Sequence, residues 1–376
     1  MPLFNVYPLY NVTPVSAKGV YVYDEKNTEY LDLYGGHAVI SIGHGHPKYV
    51  EAITSQVHKL GFYSNAIHNP LQVALADKLE ILSGCKDYEL FLCSSGAEAN
   101  ENALKLASFK TEKSRVIAFK NGFHGRTSAA VAVTDNKNII APINAQQKVT
   151  ILDLNDIESA KRELEKGDVC AVIVEFIQGV GGLDQANVAF FEQLDLLCKA
   201  NNTLFIADEV QSGYGRSGKF FAFQHYNVTP DIISIAKGMG NGFPIGGILI
   251  HPNIKATFGM LGTTFGGNHL ACAAGLAVLN VIKDDFLMDN VKVISAYFIK
   301  IAKTIPQVKQ IKGRGLMLGL EFDFEVSELR KKLIYDHHIF TGGASNKNVL
   351  RILPPLNVEK KHINQFFEAL IRALKA

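Results

Sequence analysis

Short apolar runs recur through the middle of the chain and predict buried strands at residues 90–93, 115–119, 149–152, 169–176, 203–207, 232–236 and 247–250. Helical periodicity separates several of them, most clearly at 97–110, 156–166 and 188–200. Strands that alternate with helices, and that are apolar at nearly every position, are typical of a mostly parallel sheet covered on both faces. We therefore predict an α/β fold whose large domain holds a mostly parallel seven-stranded sheet.

The two ends of the chain lack this alternation. Residues 1–45 hold strand-like pieces at 19–23 and 30–33, too little to fold alone. Beyond residue 284 the pattern predicts further helix, strands at 316–322 and 349–353, and a closing amphipathic helix at 359–376. We predict that segments 1–45 and 285–376 together form a smaller α+β domain beside a large domain at 46–284.

Composition supports two domains and narrows the range of partners. The chain has 376 residues, of which 47% are hydrophobic, and one core usually serves no more than about 250–300 residues. A net charge of +2 without a basic stripe argues against binding to nucleic acid or to an anionic membrane surface. Five scattered cysteines show no metal-ligand spacing. Without a signal-like start or a membrane-length apolar run, we expect a cytoplasmic protein that binds small molecules.

Two residues at neighbouring strand ends suggest a cofactor. Asp208 follows the run at 203–207 and Lys237 follows the run at 232–236. Pyridoxal 5'-phosphate is bound covalently by a lysine, and an acidic residue keeps its ring nitrogen protonated. The alternative, in which Asp208 caps a strand and Lys237 is a solvated loop residue, fits these two residues equally well.

A third segment is suited to a phosphate group. Ser95, Gly96 and Ala97 follow the strand at 90–93 and open the helix at 97–110, where backbone N–H groups and the helix dipole attract anions. An ordinary helix cap is the alternative. A nucleotide-binding oxidoreductase is disfavoured because the chain lacks the glycine fingerprint and downstream acidic residue of that class after its first strand.

Seven motifs in one order resemble the class III aminotransferases of fold type I, most of all the acetylornithine aminotransferases, over essentially the whole length. They begin at residues 43, 95, 123, 208, 236, 263 and 351 and read GHGHP, SGAEA, FHGRT, DEVQSG, AKG, TTFGGN and RILPPL. The resemblance implies a transaminase that uses pyridoxal 5'-phosphate and has Lys237 as its catalytic residue. It implies that the cofactor is bound by Ser95, Gly96, Ala97, Phe123, Asp208, Val210, Gln211, Lys237 and Thr264.

By the same resemblance, Phe123 and Val210 enclose the cofactor ring and Gln211 contacts its hydroxyl group, although plain core packing is the alternative for Phe123 and Val210. Thr264 stands where the family contributes a phosphate contact across a dimer interface, which implies a homodimer.

Two arginines are expected to select the substrates, because a guanidinium group binds a carboxylate through two hydrogen bonds. The resemblance assigns the α-carboxylate of glutamate or 2-oxoglutarate to Arg351. It assigns the distal carboxylate of glutamate, or the α-carboxylate of an acylated ornithine, to Arg126. Surface ion pairing is the alternative for either arginine.

The implied reaction moves the terminal amino group of an N-acetyl- or N-succinyl-ornithine to 2-oxoglutarate, giving the N-acyl-glutamate 5-semialdehyde and glutamate in arginine biosynthesis. The alternatives are an aminotransferase for ornithine or 4-aminobutyrate, an aminomutase of the same fold, and a non-catalytic regulatory protein.

The chain departs from the family at two positions. The resemblance places Glu175 among the substrate-binding residues, together with Arg126, Arg351 and His37. Relatives usually have a second glutamate shortly after the position of Glu175, and this chain has Val180 there, which should leave Arg351 without an acidic partner. His37 replaces the isoleucine or tyrosine of relatives. We hypothesise that His37, if it lines the pocket, hydrogen-bonds the acyl group, or when protonated the carboxylate of a succinyl chain. A histidine satisfied by its own Gly-rich loop is the alternative.

Overall fold

The computed structural model describes residues 1–375. The strands are β1 (Pro14–Lys18), β2 (Tyr21–Asp24), β3 (Glu29–Asp32), β4 (Glu89–Cys93), β5 (Arg115–Phe119), β6 (Val149–Leu152), β7 (Val169–Val174), β8 (Leu204–Asp208), β9 (Ile232–Ile235), β10 (Gly246–Ile250), β11 (Gln310–Arg314), β12 (Met317–Glu321), β13 (Ile339–Phe340) and β14 (Val349–Ile352). The helices are α1 (Gly35–Ala38), α2 (Pro47–Lys59), α3 (Pro70–Ser83), α4 (Gly96–Thr111), α5 (Ser128–Ala132), α6 (Ile157–Leu164), α7 (Val188–Ala200), α8 (His269–Asp284), α9 (Leu287–Ala302), α10 (Ser327–Tyr335) and α11 (Lys360–Lys375).

The central sheet has seven strands in the order β4-β10-β9-β8-β7-β5-β6. Its pairs from β9 through β6 are parallel, whereas β10 runs antiparallel to both β4 and β9. Strand β7 is buried at all six positions, as expected for a strand covered on both faces. The predicted α/β fold with a mostly parallel seven-stranded sheet is therefore confirmed.

Two strand ends differ from the sequence pattern in ways that matter for the site. The run at 169–176 ends as a strand at Val174, because the next carboxylate, Glu175, turns to accept hydrogen bonds from loop amides. The run at 203–207 extends to Asp208, which places this carboxylate on the last residue of β8. Parallel strands deliver such terminal residues to one edge of the sheet.

The two chain ends meet in a second sheet with the order β1-β2-β3-β13, in which β3 pairs in parallel with β13. A third sheet has the order β11-β12-β14. This arrangement agrees with the expectation that both ends share a smaller unit, and the boundaries at 45 and 284 stay a prediction. Within residues 1–375, no helix is both long enough and apolar enough to cross a membrane.

Candidate active site

A cavity of about 420 Å³ lies at the C-terminal edge of the central sheet. It brings together most of the residues predicted from the sequence, namely Ser95, Gly96, Ala97, Phe123, Arg126, Glu175, Asp208, Val210, Gln211 and Lys237. His37, Arg351 and Thr264 are not among the lining residues. The edge of an open α/β sheet is the expected place for a ligand.

The start of α4 forms a cradle suited to phosphate. Ser95 caps the helix, because its side chain accepts a hydrogen bond from Glu98 N at 3.2 Å and donates one to Glu98 Oε2 at 2.9 Å. A Cβ atom at Gly96 would lie 2.6 Å from Val210 Cγ1, so this close approach requires glycine. The backbone of Gly96 and Ala97 borders the cavity, where the helix dipole attracts an anion.

Asp208 is the centre of a buried hydrogen-bond network. His124 Nδ1 lies 2.7 Å from Asp208 Oδ2, and Asn100 Nδ2 donates to the same oxygen at 2.8 Å. Burial is the largest single influence on His124 and opposes its charge, but the hydrogen bond to Asp208 together with the charges of Asp208 and Glu175 outweighs burial and raises the pKa of His124. A buried carboxylate held by hydrogen bonds is suited to pairing with a protonated pyridine nitrogen.

Sequence reasoning missed the roles of His124 and Asn100. His124 stood within the FHGRT motif, so a signal was present, whereas Asn100 is an ordinary position inside a helix. Asn100 Nδ2 also donates to the backbone carbonyl of His124 at 2.7 Å, which connects α4 to the loop after β5.

Lys237 follows β9 in a left-handed conformation, with φ at 44°. Burial is the largest influence on its amine and lowers the pKa of Lys237, against the opposing effect of Asp208 and Glu175. A lowered pKa favours the neutral amine that nucleophilic attack requires.

Asn241, which sequence reasoning also missed, fixes the loop after Lys237. Its Oδ1 accepts from Ser41 N at 2.8 Å and from Ile42 N at 3.0 Å, and its Nδ2 donates to Gly43 O at 2.9 Å. Ser41 Oγ donates to Gly238 O at 2.7 Å. Residues 41–43 of the N-terminal segment are therefore hydrogen-bonded to the loop that contains Lys237.

Glu175 is buried and joins two loops at the cavity. Its Oε1 accepts from Phe123 N at 2.9 Å and its Oε2 accepts from Gly179 N at 2.8 Å. Burial raises the pKa of Glu175 to about 6. Glu175 thus positions Phe123, and Val180 lines the wall of the cavity next to it.

The two predicted substrate arginines differ in exposure. Arg126 is exposed at the cavity, whereas Arg351 is 3% exposed. Arg351 Nη1 donates to Gly179 O at 2.7 Å, Nε donates to Gly343 O, and Nη2 donates to Tyr34 Oη at 3.4 Å. Across residues 1–375, neither arginine forms a salt bridge, and the only arginine that does is Arg115. Both are therefore available to a carboxylate.

His37 lies in a left-handed turn, with φ at 69°, and its Nδ1 lies 2.6 Å from Tyr34 Oη. Burial and the nearby charges of Arg351 and Lys237 lower the pKa of His37 to about 4. The imidazole is neutral near pH 7, so His37 can interact with a ligand only as an uncharged group at that pH.

Gln211 borders the cavity and carries a buried polar atom without a partner. Its Nε2 donates to His37 O at 3.1 Å, while its Oε1 is buried and accepts no hydrogen bond within the described chain. Buried polar atoms of this kind call for a missing partner, and the ring hydroxyl of pyridoxal 5'-phosphate would supply one. With the Gly96 cradle, Asp208 and Lys237, the residues present fit this cofactor.

Thr264 is exposed and stands apart from the cavity of its own chain. It belongs to a loop held by Asn65, whose Nδ2 donates to Thr263 O at 3.2 Å and to Gly266 O at 3.0 Å.

A phosphate cradle, a buried carboxylate and a lysine of lowered pKa at one edge of this sheet define an enzyme dependent on pyridoxal phosphate. The family model "Aminotransferase class-III" matches residues 5–374. The chain belongs to this family, which confirms the predicted transaminase class and its cofactor, pyridoxal 5'-phosphate.

Three comparisons describe the relatives. The chain is 39% identical to the acetylornithine aminotransferase of Aquifex aeolicus, with 98% of each chain covered. It is 37% identical to the acetylornithine/succinyldiaminopimelate aminotransferase of Buchnera aphidicola, over 100% of this chain and 94% of that one. Among solved structures, the ornithine aminotransferase of Toxoplasma gondii superposes with a TM-score of 0.91 at 28% identity, covering 97% of this chain and 91% of that one.

Proposed function

We propose that this aminotransferase moves the terminal amino group of an N-acyl-ornithine, acetyl or succinyl, to 2-oxoglutarate. The products are the N-acyl-glutamate 5-semialdehyde and glutamate, a step of arginine biosynthesis. The observation that carries the proposal is the presence of two arginines, Arg126 and Arg351, that form no salt bridge within residues 1–375. Arg126 lines the cavity together with Lys237, and Arg351 is near enough that its charge helps to lower the pKa of Lys237. The acetylornithine aminotransferases among the relatives support the ornithine frame of the substrate.

The two arginines and Lys237 have separate roles in the proposed reaction. Arg126 binds the α-carboxylate of the acyl-ornithine or the distal carboxylate of 2-oxoglutarate, and Arg351 binds the α-carboxylate of 2-oxoglutarate or glutamate. Pyridoxal 5'-phosphate, when bound, supplies an electron-withdrawing ring that carries the amino group between the two substrates. With the cofactor bound, the Lys237 amine would remove a proton from the carbon that bears the amino group of the substrate and return one, acting as general base and then as general acid.

The remaining groups orient the reaction. Asp208 would keep the ring nitrogen of the cofactor protonated, and His124 and Asn100 hold the Asp208 carboxylate in place. Phe123 and Val210 would enclose the ring, Gln211 Oε1 would accept from its hydroxyl group, and the amides of Gly96 and Ala97 would bind the phosphate. Because both half-reactions use one cavity, we expect ping-pong kinetics.

A single-turnover assay tests the substrate. Purified holoenzyme is mixed separately with N-acetylornithine, N-succinylornithine, ornithine and 4-aminobutyrate while the visible absorbance of the bound cofactor is followed. A fast response to an acyl-ornithine is expected, and its rate selects the acyl group. A response to ornithine or 4-aminobutyrate alone would contradict the proposal and favour the second candidate, an ω-amino acid aminotransferase, to which the superposition on an ornithine aminotransferase lends support.

We further propose a homodimer in which Thr264 reaches the phosphate site of the partner. Large apolar side chains are exposed around its loop, including Phe62, Phe258 and Phe265, and the Phe62 and Phe265 rings lie 5.4 Å apart. Exposed apolar surface of this extent is typical of a protein interface. Thr264→Ala should weaken cofactor binding without changing the dimer mass measured by light scattering. A dimer that retains the cofactor equally well after this substitution would refute the role of Thr264.

A further inference from the structure

Arg330, on α10, borders the same turn as Arg351. Arg330 Nη2 donates to Thr341 O at 3.1 Å, and Arg351 Nε donates to Gly343 O. A Cβ atom at Gly343 would lie 2.7 Å from Arg330 Nη1, which shows how closely this guanidinium group approaches the turn. Two guanidinium groups therefore meet at residues 341–343.

Neither arginine forms a salt bridge within residues 1–375. Glu175 acts on Arg351 from a greater separation, and it raises the pKa of Arg351 by less than the charge of Arg330 lowers it. The other neighbour of Arg330 is an aromatic ring, with Cζ 5.6 Å from the centroid of Tyr10. Arg330 Nε is buried and lacks a hydrogen-bond partner in the described chain. Burial is the main cause of the lowered pKa of Arg351, and the charge of Arg330 adds to it.

Like charges held together in a partly buried place are unfavourable until an anion joins them. His37 leaves the repulsion between Arg330 and Arg351 unchanged, because its imidazole is uncharged near pH 7. The binding of a carboxylate at Arg351 would therefore also relieve the repulsion from Arg330. Charge clusters of this kind are a mark of ligand sites.

We infer that Arg330 is a specificity-determining residue that strengthens carboxylate binding at Arg351 and so favours 2-oxoglutarate and glutamate. The inference rests on the proposed function for the role of Arg351. N-acetylornithine, whose only carboxylate is assigned to Arg126, leaves the Arg330 and Arg351 pair without a carboxylate. Arg330 should then affect one half-reaction and spare the other.

The first test compares the two half-reactions in the Arg330→Gln holoenzyme. The dissociation constant for glutamate should rise on the order of tenfold, while that for N-acetylornithine stays unchanged. Arg372→Gln, which removes one positive charge from an exposed position on α11, is the matched control and should change neither constant. Equal weakening of both half-reactions would overturn the inference, because it would show that Arg330 only supports the turn at 341–343.

The second test does not depend on turnover. Glutarate has the two carboxylates of 2-oxoglutarate but neither an amino nor a keto group, so its affinity for the holoenzyme can be measured by calorimetry. Arg330→Gln should weaken glutarate binding on the order of tenfold, and Arg330→Lys, which keeps the charge, should retain most of the affinity. Unchanged binding in Arg330→Gln, or a full loss in a folded Arg330→Lys variant, would overturn the role of the charge.

These experiments separate the inference from the proposed function. If no acyl-ornithine reacts but the binding of glutamate and glutarate depends on Arg330, the substrate assignment fails and the inference stands. The amine that does react then takes the place of the acyl-ornithine in the comparison of the two half-reactions. If acyl-ornithine reacts normally and glutarate binding ignores Arg330, the inference alone fails.

Discussion

Gly96→Ala tests the phosphate cradle directly. The added Cβ atom would lie 2.6 Å from Val210 Cγ1 and 3.1 Å from Val210 Cγ2, whereas carbon atoms pack best at about 3.5–4.0 Å. One of the two groups must move by about 1 Å. Overpacking of this kind costs about 1–3 kcal/mol, so we expect the free energy of unfolding of the apo-protein to fall by that amount.

The same substitution should also weaken the cofactor site. Val210 is proposed to enclose the cofactor ring, and its displacement would misplace both the ring and the amides that bind phosphate. We expect the dissociation constant of pyridoxal 5'-phosphate to rise by about tenfold or more, since each 1.4 kcal/mol is a factor of ten. Denaturant unfolding measures the first effect and fluorescence titration of the apo-protein with cofactor measures the second.

A double-mutant cycle provides the control. Val210→Ala removes the two methyl groups that the new Cβ atom would meet, so Gly96→Ala should cost much less in the Val210→Ala background. The coupling energy should be about 1–3 kcal/mol. A Gly96→Ala variant that loses less than about 0.5 kcal/mol, or a cycle without coupling, would refute the argument from close packing.

Three further outcomes follow from the site. Burial raises the pKa of Glu175 in the folded protein to about 6, above its ordinary value, so its contribution to stability is present below about pH 4.5 and is lost as the pH rises through 6. Glu175→Gln should therefore reduce the change in unfolding free energy across this pH range by about 2 kcal/mol. If the variant and the original protein show the same change of unfolding free energy with pH, the prediction is wrong. The lowered pKa of His37 predicts a preference between acetyl and succinyl substrates that is constant from about pH 6 to 8, and competition kinetics showing increased succinyl preference toward pH 6 would argue for a protonated His37. Asn241→Ala removes three hydrogen bonds and should cost about 3 kcal/mol in denaturant unfolding, whereas a loss under about 1 kcal/mol would show that the clamp on the lysine loop is weak.

Local sequence patterns predicted the central sheet well, because buried parallel strands such as β7 are apolar at every position. The pattern did not show that β10 is antiparallel, since strand direction depends on the length and route of the connections. The apolar pattern also extended the predicted strand β7 beyond residue 174, because Phe176 is apolar. In the structure Phe176 lies outside the strand and packs against Phe191, with their ring centroids 4.4 Å apart.

The candidate site could be predicted where its residues belong to contiguous motifs, as for Lys237 and Asp208. Residues that act through distant partners could not. Asn241 bonds to the backbone about 200 residues earlier in the chain, and Arg330 is significant only because the fold places it at the same turn as Arg351. Such relationships leave no periodic signal, since they depend on the packing of separate segments. The division into domains at 45 and 284 also stays a prediction.

The pairing of β4 has a consequence for the order in which the protein is made. Strand β4, which leads into the phosphate cradle, lies at the end of the sheet and pairs with β10, with Cys93 opposite Gly246. During synthesis, therefore, about 150 residues emerge after β4 before its partner exists, and such distant contacts form slowly. A nascent chain that ends before β10 would contain Asp208 and Lys237, but its phosphate cradle would lack the pairing of β4 with β10. Cofactor capture should accordingly be a late event, and it would report that the chain has completed its central sheet.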